Sequence, residues 1–337
     1  MAILVTGGAG YIGSHTAVAL ADSGHEVVLL DNFSNSDFKA VENIRSLITS
    51  EVPFYEVDIR DRDALALVFQ AQKDLSSPIS SVIHFAALKS VGESVSKPEL
   101  YHDNNTGGTK TLLEVMSEFA VRKIVFSSSC TVYGDPDVVP VDESSLFKKA
   151  ESPYGQTKQD CEALITHQGS VFNDFSSALL RYFNPIGAHP SAVIGESPNG
   201  VPDNLIPFIC QAVAGLRGPL TVFGTDYSTL DGSCVRDYLH VMDIANAHVL
   251  ALDNLVEGRI RSFNLGTGTG TSVLDVISSF TEATGLEVPY SLGDRREGDI
   301  TAIWADSSRA EMELGWKAQR SIVEALADAW RWQKTLA

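Results

Sequence analysis

ILVTGGAGYIGSH, residues 3–15, decides the fold of this 337-residue chain. An apolar, β-branched run stops at Gly7, and two more glycines, Gly10 and Gly13, follow at intervals of three before a segment suited to a helix. Glycines at a strand-to-helix turn let the backbone approach a pyrophosphate closely, and the helix N-terminus offers N–H donors and positive potential. The spacing is G-x-x-G-x-x-G rather than G-x-G-x-x-G, so the turn needs support from its surroundings.

The support comes from VVLLDNF at 27–33, where Asp31 ends a second apolar run. An acid at that place hydrogen-bonds the ribose hydroxyls of NAD and repels the extra phosphate of NADP. The alternative is a glycine turn of conformational use only, with Asp31 as a helix cap. Strand, glycines, helix, strand and acid in that order favour the dinucleotide. EVDIRD at 56–61 then places Asp58 at the end of a third strand, either against adenine or as a cap for a helix beginning near Asp61. VIHFAALKSVGES at 82–94 runs from a strand into small residues that permit close approach, and its His84 reads as a satisfied core histidine.

Further apolar runs at 53–57, 81–85, 123–127 and 177–183 alternate with longer segments of mixed polarity such as TGGTKTLLEVMSEFA. That rhythm implies βαβ units and a doubly wound parallel sheet, an α/β Rossmann fold. After about residue 185 comes NPIGAHPSAVIGESPNGVPDN, a long irregular connection. The expected organisation is a dinucleotide-binding domain over 1–185 and a smaller α+β substrate domain over 186–337, with some segments of the second returning to the first and a ligand cleft between them.

Composition is 44% hydrophobic and 20% charged, ordinary for a globular protein. The formal net charge of -18 argues against nucleic-acid or anionic-membrane binding, so an anionic ligand must be held by local donors. The four cysteines, Cys130, Cys161, Cys210 and Cys234, have neither metal-ligand nor disulfide spacing, and the eight histidines form no metal motif. With no leader-like start and no membrane-length apolar run, a cytoplasmic protein without a metal is expected.

SPYGQTK at 152–158 carries the chemistry. Ser152 and Pro153 read as an N-cap and first helical residue, so Tyr154 and Lys158 share a helix face. A cation and a helix start both favour a phenolate, which makes the pair a candidate general base. An exposed amphipathic helix with an accidental Tyr and Lys is the bland alternative, and context decides.

With HFAALKSVGES, SSSCTVYG and SPYGQTK beside the glycine turn, the chain resembles the extended short-chain dehydrogenase/reductase superfamily. RYFNPIGAHPS, DGSCVRDYLHVMDIANAH, FNLGTG and RREGDITAIWADSSRA extend the likeness, end to end, to the UDP-glucose 4-epimerase (UDP-galactose 4-epimerase) family within it. The resemblance implies an isomerase of galactose metabolism that interconverts UDP-glucose and UDP-galactose through a 4-keto sugar, with tightly bound NAD. It makes Tyr154 the base, Lys158 the group that holds the nicotinamide ribose and lowers the phenol's pKa, and Ser129 a hydrogen-bond partner of the 4-hydroxyl. Lowering a phenol from about 10 to near 7 takes roughly 4 kcal/mol, too much for one exposed ammonium, so the charge of NAD must contribute.

By the same resemblance Gly7, Gly10, Tyr11, Ile12, Gly13, Asp31, Asn32, Asp58, Ile59, Phe85, Ala86, Lys89 and Asn104 line the NAD site together with Ser129, Tyr154 and Lys158. Phe183 touches both nicotinamide and sugar. Asn184, Asn204, Leu205, Phe223, Arg236, Tyr238, Arg296 and Asp299 hold the UDP-sugar, the two arginines suiting a diphosphate. The family forms homodimers through the helix of Tyr154 and the one after Asn104. Cys161, Leu164 and Ile165, with Leu113 and Met116, supply either that contact or the core.

Sugar-nucleotide 4,6-dehydratases carry an acidic pair where this chain has Cys130 and Thr131, and uronate decarboxylases carry a Glu in that segment. Neither is present. Ile303 stands where the family faces the sugar's C2 substituent, and its stiff intermediate bulk leaves acceptance of N-acetylated sugars open. Ala87 replaces a glycine of many relatives. A non-catalytic NAD-binding scaffold would be expected to have lost one of Ser129, Tyr154 and Lys158, and all three are present.

Overall fold

The computed structural model describes residues 1–296 and 299–336; Glu297 and Gly298 of the RREGDITAIWADSSRA stretch lie outside it. The chain forms two compact units. Met1–Gly134, Phe147–Arg181 and Ala245–Phe263 make one, and Asp135–Leu146, Tyr182–Ile244 and Asn264–Ala337 the other.

The first unit is built on strands β1 (Ala2–Thr6), β2 (Glu26–Asp31), β3 (Phe54–Glu56), β4 (Ile79–His84), β5 (Lys123–Ser129), β6 (Ser176–Tyr182) and β7 (Ile260–Leu265). They form a seven-stranded sheet in the order β7-β6-β5-β4-β1-β2-β3. β1 pairs in parallel with β2 and β4, β2 with β3, and β4 with β5. Chain order reverses direction at β1, the kind of switch point at which open α/β sheets bind ligands beyond the strand C-termini. All of β1 is buried, as a strand covered on both faces must be.

The crossover helices are α1 (Tyr11–Asp22), α2 (Phe38–Leu47), α3 (Arg62–Asp74), α4 (Gly108–Glu118) and α5 (Pro153–Val171). α3 starts at Asp61, whose carboxylate accepts from Ala64 N at 3.0 Å, so Asp58 is not its cap. α5 starts as its sequence demands: Ser152 Oγ accepts from Gly155 N at 3.1 Å and Pro153 occupies the first helical position. Between β4 and α4 two short helices lead into a π-helical turn, His102–Gly107.

Leu113 and Met116 of α4 and Cys161 and Ile165 of α5 pack with Leu4, Val28 and Phe126 in one core, and Leu164 lies partly buried against it. These positions are therefore core rather than an outward apolar face. A helix stripe reads the same in sequence whichever neighbour it meets.

The second unit is α+β. Asn184–Ile186 pairs in parallel with Tyr238–His240, and Leu220–Phe223 with Tyr290–Gly293. Val235–Arg236 is flanked by Thr271–Ser272 and Ala302–Ile303. Helices Leu205–Val213, Val273–Thr284 and Ile322–Gln333 enclose a core that includes Ile209, Phe280 and Leu326. Among the described residues no helix is long and apolar enough to cross a membrane.

Leu4 sits at the centre of β1 with no exposed surface. Leu4→Ala is expected to lower unfolding stability by about 2–5 kcal/mol, transfer and cavity combined, in urea titration; a loss below about 1 kcal/mol would mean the centre of this sheet is not packed as described.

Candidate active site

The turn after β1 is glycine because nothing larger fits. Gly7 has φ +68°, and a Cβ there would lie 2.7 Å from Ala86 N. A Cβ on Gly13 would collide with the Gly7 carbonyl oxygen. Gly10 caps α1, with Tyr11 and Ile12 in its first turn. Lys89 Nζ lies 6.0 Å from the centre of the Tyr11 ring. Gly7, Ala86, Tyr11 and Lys89 are thus gathered at the C-terminal edge of β1 and β4, while the Phe85 ring lies 4.6 Å from that of His248.

Asp31 turns its carboxylate toward this loop. Only 8% exposed, it accepts from Ala9 N at 3.0 Å, Phe33 N at 2.9 Å and Ser36 Oγ at 2.9 Å. Asn32 Nδ2 donates to Asp58 at 3.0 Å. Arg60 grips Asp58 through Nε at 3.0 Å and Nη2 at 2.8 Å, and that contact above all draws the carboxyl down to about 2. Ile59 points the other way, into the core, filling the space above Gly108. Asn104, buried in the π-turn, donates to Asn105, which in turn bonds the Leu88 backbone and Thr157.

Ser129, Tyr154 and Lys158 meet at the end of β5. Lys158 is only 3% exposed, its Nζ donates to the Ser127 carbonyl at 2.6 Å, and it lies 4.8 Å from the Phe126 ring and 5.8 Å from the Tyr154 ring. Burial lowers its pKa to about 8, with Cys161 and Glu162 pulling the other way. This departs from the exposed ammonium expected of the sequence. Among the protein's own groups burial dominates the phenol, lifting Tyr154 above the ordinary tyrosine value, only partly offset by its hydrogen bond with Ser129. Ser129 Oγ additionally accepts from Thr131 N at 3.2 Å. His84, behind Lys158, is held between Thr6 and Thr109 and pushed by burial to about 3, hence neutral.

In the second unit Asp299 joins two arginines, Arg296 at 2.8 Å and Arg236 at 3.9 Å. Arg296 lies 5.7 Å over the ring of Phe223, itself 43% exposed. Ile303, buried, pairs in register with Arg236. Tyr238 and Asn184 lie opposite each other on neighbouring strands, and Phe183, buried, precedes them. Asn204, at the N-cap of the Leu205 helix, donates instead to Glu196 at 2.7 Å. The sequence reading missed Arg60 and Glu162. The first is local and acid-paired; the second stands four residues after Lys158, and that spacing was the available signal.

A switch-point glycine turn, an acid at the end of the next strand and a Ser, Tyr and Lys at one strand end describe a dinucleotide-binding α/β protein. The chain belongs to the NAD dependent epimerase/dehydratase family, whose model matches residues 3–266. It is 50% identical over 336 residues to the UDP-glucose 4-epimerase of Bacillus subtilis, covering 99% of this chain and 97% of that protein. It resembles the crystal structure of UDP-glucose-4-epimerase from Stenotrophomonas maltophila with bound NAD and formylated UDP-arabinopyranose, with TM-score 0.95 and 47% identity over 100% of this chain and 98% of that one. The Bifidobacterium longum UDP-glucose 4-epimerase in complex with NAD+ and UDP matches with TM-score 0.95 and 43% identity over 99% and 98%.

The Lys158 shift has a consequence for stability. The folded protein releases the proton near 8, whereas the unfolded chain holds it to the ordinary 10.5. Between those values the unfolded state binds more protons, so this residue's contribution rises with pH. The stability deficit of wild type relative to Lys158→Met is expected to shrink by about 1 kcal/mol per pH unit from pH 8 to 10 in denaturant titrations; a constant difference would contradict the buried ammonium.

Proposed function

We propose that this chain interconverts UDP-glucose and UDP-galactose, inverting C4 of the hexose with a tightly held NAD. The observation that carries the reading is the convergence of Ser129, Tyr154 and Lys158 on one strand end, at the same edge of the sheet as the glycine turn.

The turn fits a dinucleotide: side chains are excluded from Gly7 and Gly13, and the Asp31 carboxylate faces the loop from β2. The chemistry NAD supplies when bound is reversible hydride acceptance at C4, through a 4-keto sugar and with no net redox change. Tyr154 takes the 4-hydroxyl proton and later returns it. Ser129 hydrogen-bonds the same hydroxyl and the phenol, fixing the path of that proton. Lys158 holds the nicotinamide ribose and keeps a positive charge beside the phenol. Tyr11, Ile12, Asn32, Asp58, Phe85, Ala86, Lys89 and Asn104 complete the dinucleotide's surroundings.

In the second unit Arg236 and Arg296 bind the diphosphate, with Asp299 orienting both and Phe223 beside Arg296. Asn184, Asn204, Leu205, Tyr238 and Phe183 complete the UDP-sugar contacts, and Ile303 limits the space at C2. A firm grip on the nucleotide and a loose one on the sugar let hydride return to the opposite face. Cys130 and Thr131 provide no acid pair for elimination. The protein acts in the cytoplasm as a homodimer through α4 and α5. With their apolar positions in the core, that contact is left to the outward positions of the two helices.

Purified protein given UDP-galactose and no added NAD is expected to form UDP-glucose, followed by NMR. Tyr154→Phe should bind UDP by calorimetry yet lose about 10²–10⁴-fold in turnover; full activity in that variant would remove Tyr154 as the base. Gly13→Val should purify without dinucleotide, read from its absorbance.

A further inference from the structure

β5 ends in Ser127, Ser128 and Ser129, and each engages a different residue of α5. The Ser127 carbonyl accepts from Lys158 at 2.6 Å, Ser128 Oγ donates to Glu162 Oε1 at 2.6 Å, and the Ser129 hydroxyl bonds Tyr154. Tyr154, Lys158 and Glu162 recur every four residues and form one stripe of the helix. Two of these contacts belong to the site described above. The Glu162 contact does not.

Glu162 is 4% exposed and Arg181, from β6, 6%. They pair through two bonds, Nε to Oε1 at 2.9 Å and Nη2 to Oε2 at 2.6 Å. Arg181 Nη1 also donates to Tyr133 OH at 3.0 Å, in the turn that directly follows Ser129. The Phe147 ring lies 4.8 Å from the guanidinium. One buried ion pair therefore ties α5, β6, the end of β5 and the Cys130–Tyr133 turn together.

Burying such a pair is a poor means of adding stability, because well-packed apolar residues of similar volume often do as well or better. A carboxylate one helical turn behind a buried ammonium does something an apolar pair cannot: it opposes the loss of that ammonium's proton. Around Lys158 the other titratable or charged groups are Tyr154 and Cys161 on its own helix and neutral His84 on β4, with Cys130 beside the phenol, Asp160 acting on Cys161 from an exposed contact with Gln156, and Arg181 and Tyr133 on the far side of Glu162. Glu162 is the buried carboxylate in that set.

We infer that Glu162, locked by Arg181 and Ser128, is a positioning residue that holds the Tyr154–Lys158 stripe in register on the end of β5 and keeps Lys158 in its cationic form. The inference rests on the proposed roles of Tyr154 and Lys158.

The test is Glu162→Gln, which keeps the side chain's shape and removes its charge. Turnover of UDP-galactose at pH 8 is expected to fall about fivefold, with KM within about twofold, because the alkaline limb of the kcat profile moves down by about one pH unit. In the protein alone, labelled with carbon-13 at lysine Cε, the Lys158 signal, assigned by its loss in Lys158→Arg, should titrate lower by a similar amount. Glu162→Asp, which retains the charge, should restore the limb. Since Glu162→Gln leaves Arg181 unpaired, Glu162→Gln/Arg181→Met serves as the second variant, with a smaller shift in the same direction. A proportional loss of kcat at every pH, with limb and Lys158 titration unmoved, would show Glu162 to be structural only and overturn the inference. If wild type fails to convert UDP-galactose at all, the proposed function falls, and the Lys158 titration still decides the electrostatic claim.

Discussion

The hydrogen bond from Lys158 to the Ser127 carbonyl organises the site. An ammonium almost wholly removed from water must find oxygen, and the end of β5 offers it at 2.6 Å. That contact seats α5 on the strand end, and with it Tyr154 against Ser129. The helix can be seated there because Ser152 and Pro153 start it at the right residue. Burial acts on both groups at once, lowering the lysine and raising the phenol, so the protein alone holds Tyr154 protonated at neutral pH. On the proposed reading, activation of Tyr154 as the base is thereby tied to arrival of positive charge with the cofactor.

The glycine turn imposes the second constraint. A backbone packed so that Ala86 N would lie 2.7 Å from a Gly7 Cβ has no tolerance for side chains, and Asp31 fixes the loop from below through Ala9 N. On the proposed reading the same carboxylate that holds the loop also meets the ribose, which would make loop geometry and cofactor choice inseparable. Asp58 differs: Arg60 neutralises it and Asn32 binds it, leaving it a fixed acceptor in a firm salt bridge.

The sheet was legible in sequence because buried parallel strands are continuous apolar runs and their crossover helices are not. The Tyr154–Lys158 pair was legible because spacing of four places both on one helix face. What the sequence hid is environment. Nothing in SPYGQTK says that Tyr154 and Lys158 are buried, and so the burial that opposes the phenolate is not readable there. Leu113, Met116, Cys161 and Ile165 show an apolar stripe whose partner, core or subunit, is a matter of tertiary packing. Glu162 and Arg181 are 19 residues apart on separate elements and have no common motif. In the second unit the family likeness named Arg236, Arg296 and Asp299, and only the fold shows one carboxylate serving both guanidiniums.

The central claim is that Tyr154 becomes a base only when the dinucleotide's charge joins that of Lys158. The direct measurement is an ultraviolet titration of tyrosinate, wild type minus Tyr154→Phe, in protein stripped of NAD and in protein reloaded with it. The stripped protein should ionise Tyr154 only above the ordinary tyrosine range, and the loaded protein several pH units lower, toward neutrality. An identical Tyr154 titration in both forms would contradict the account.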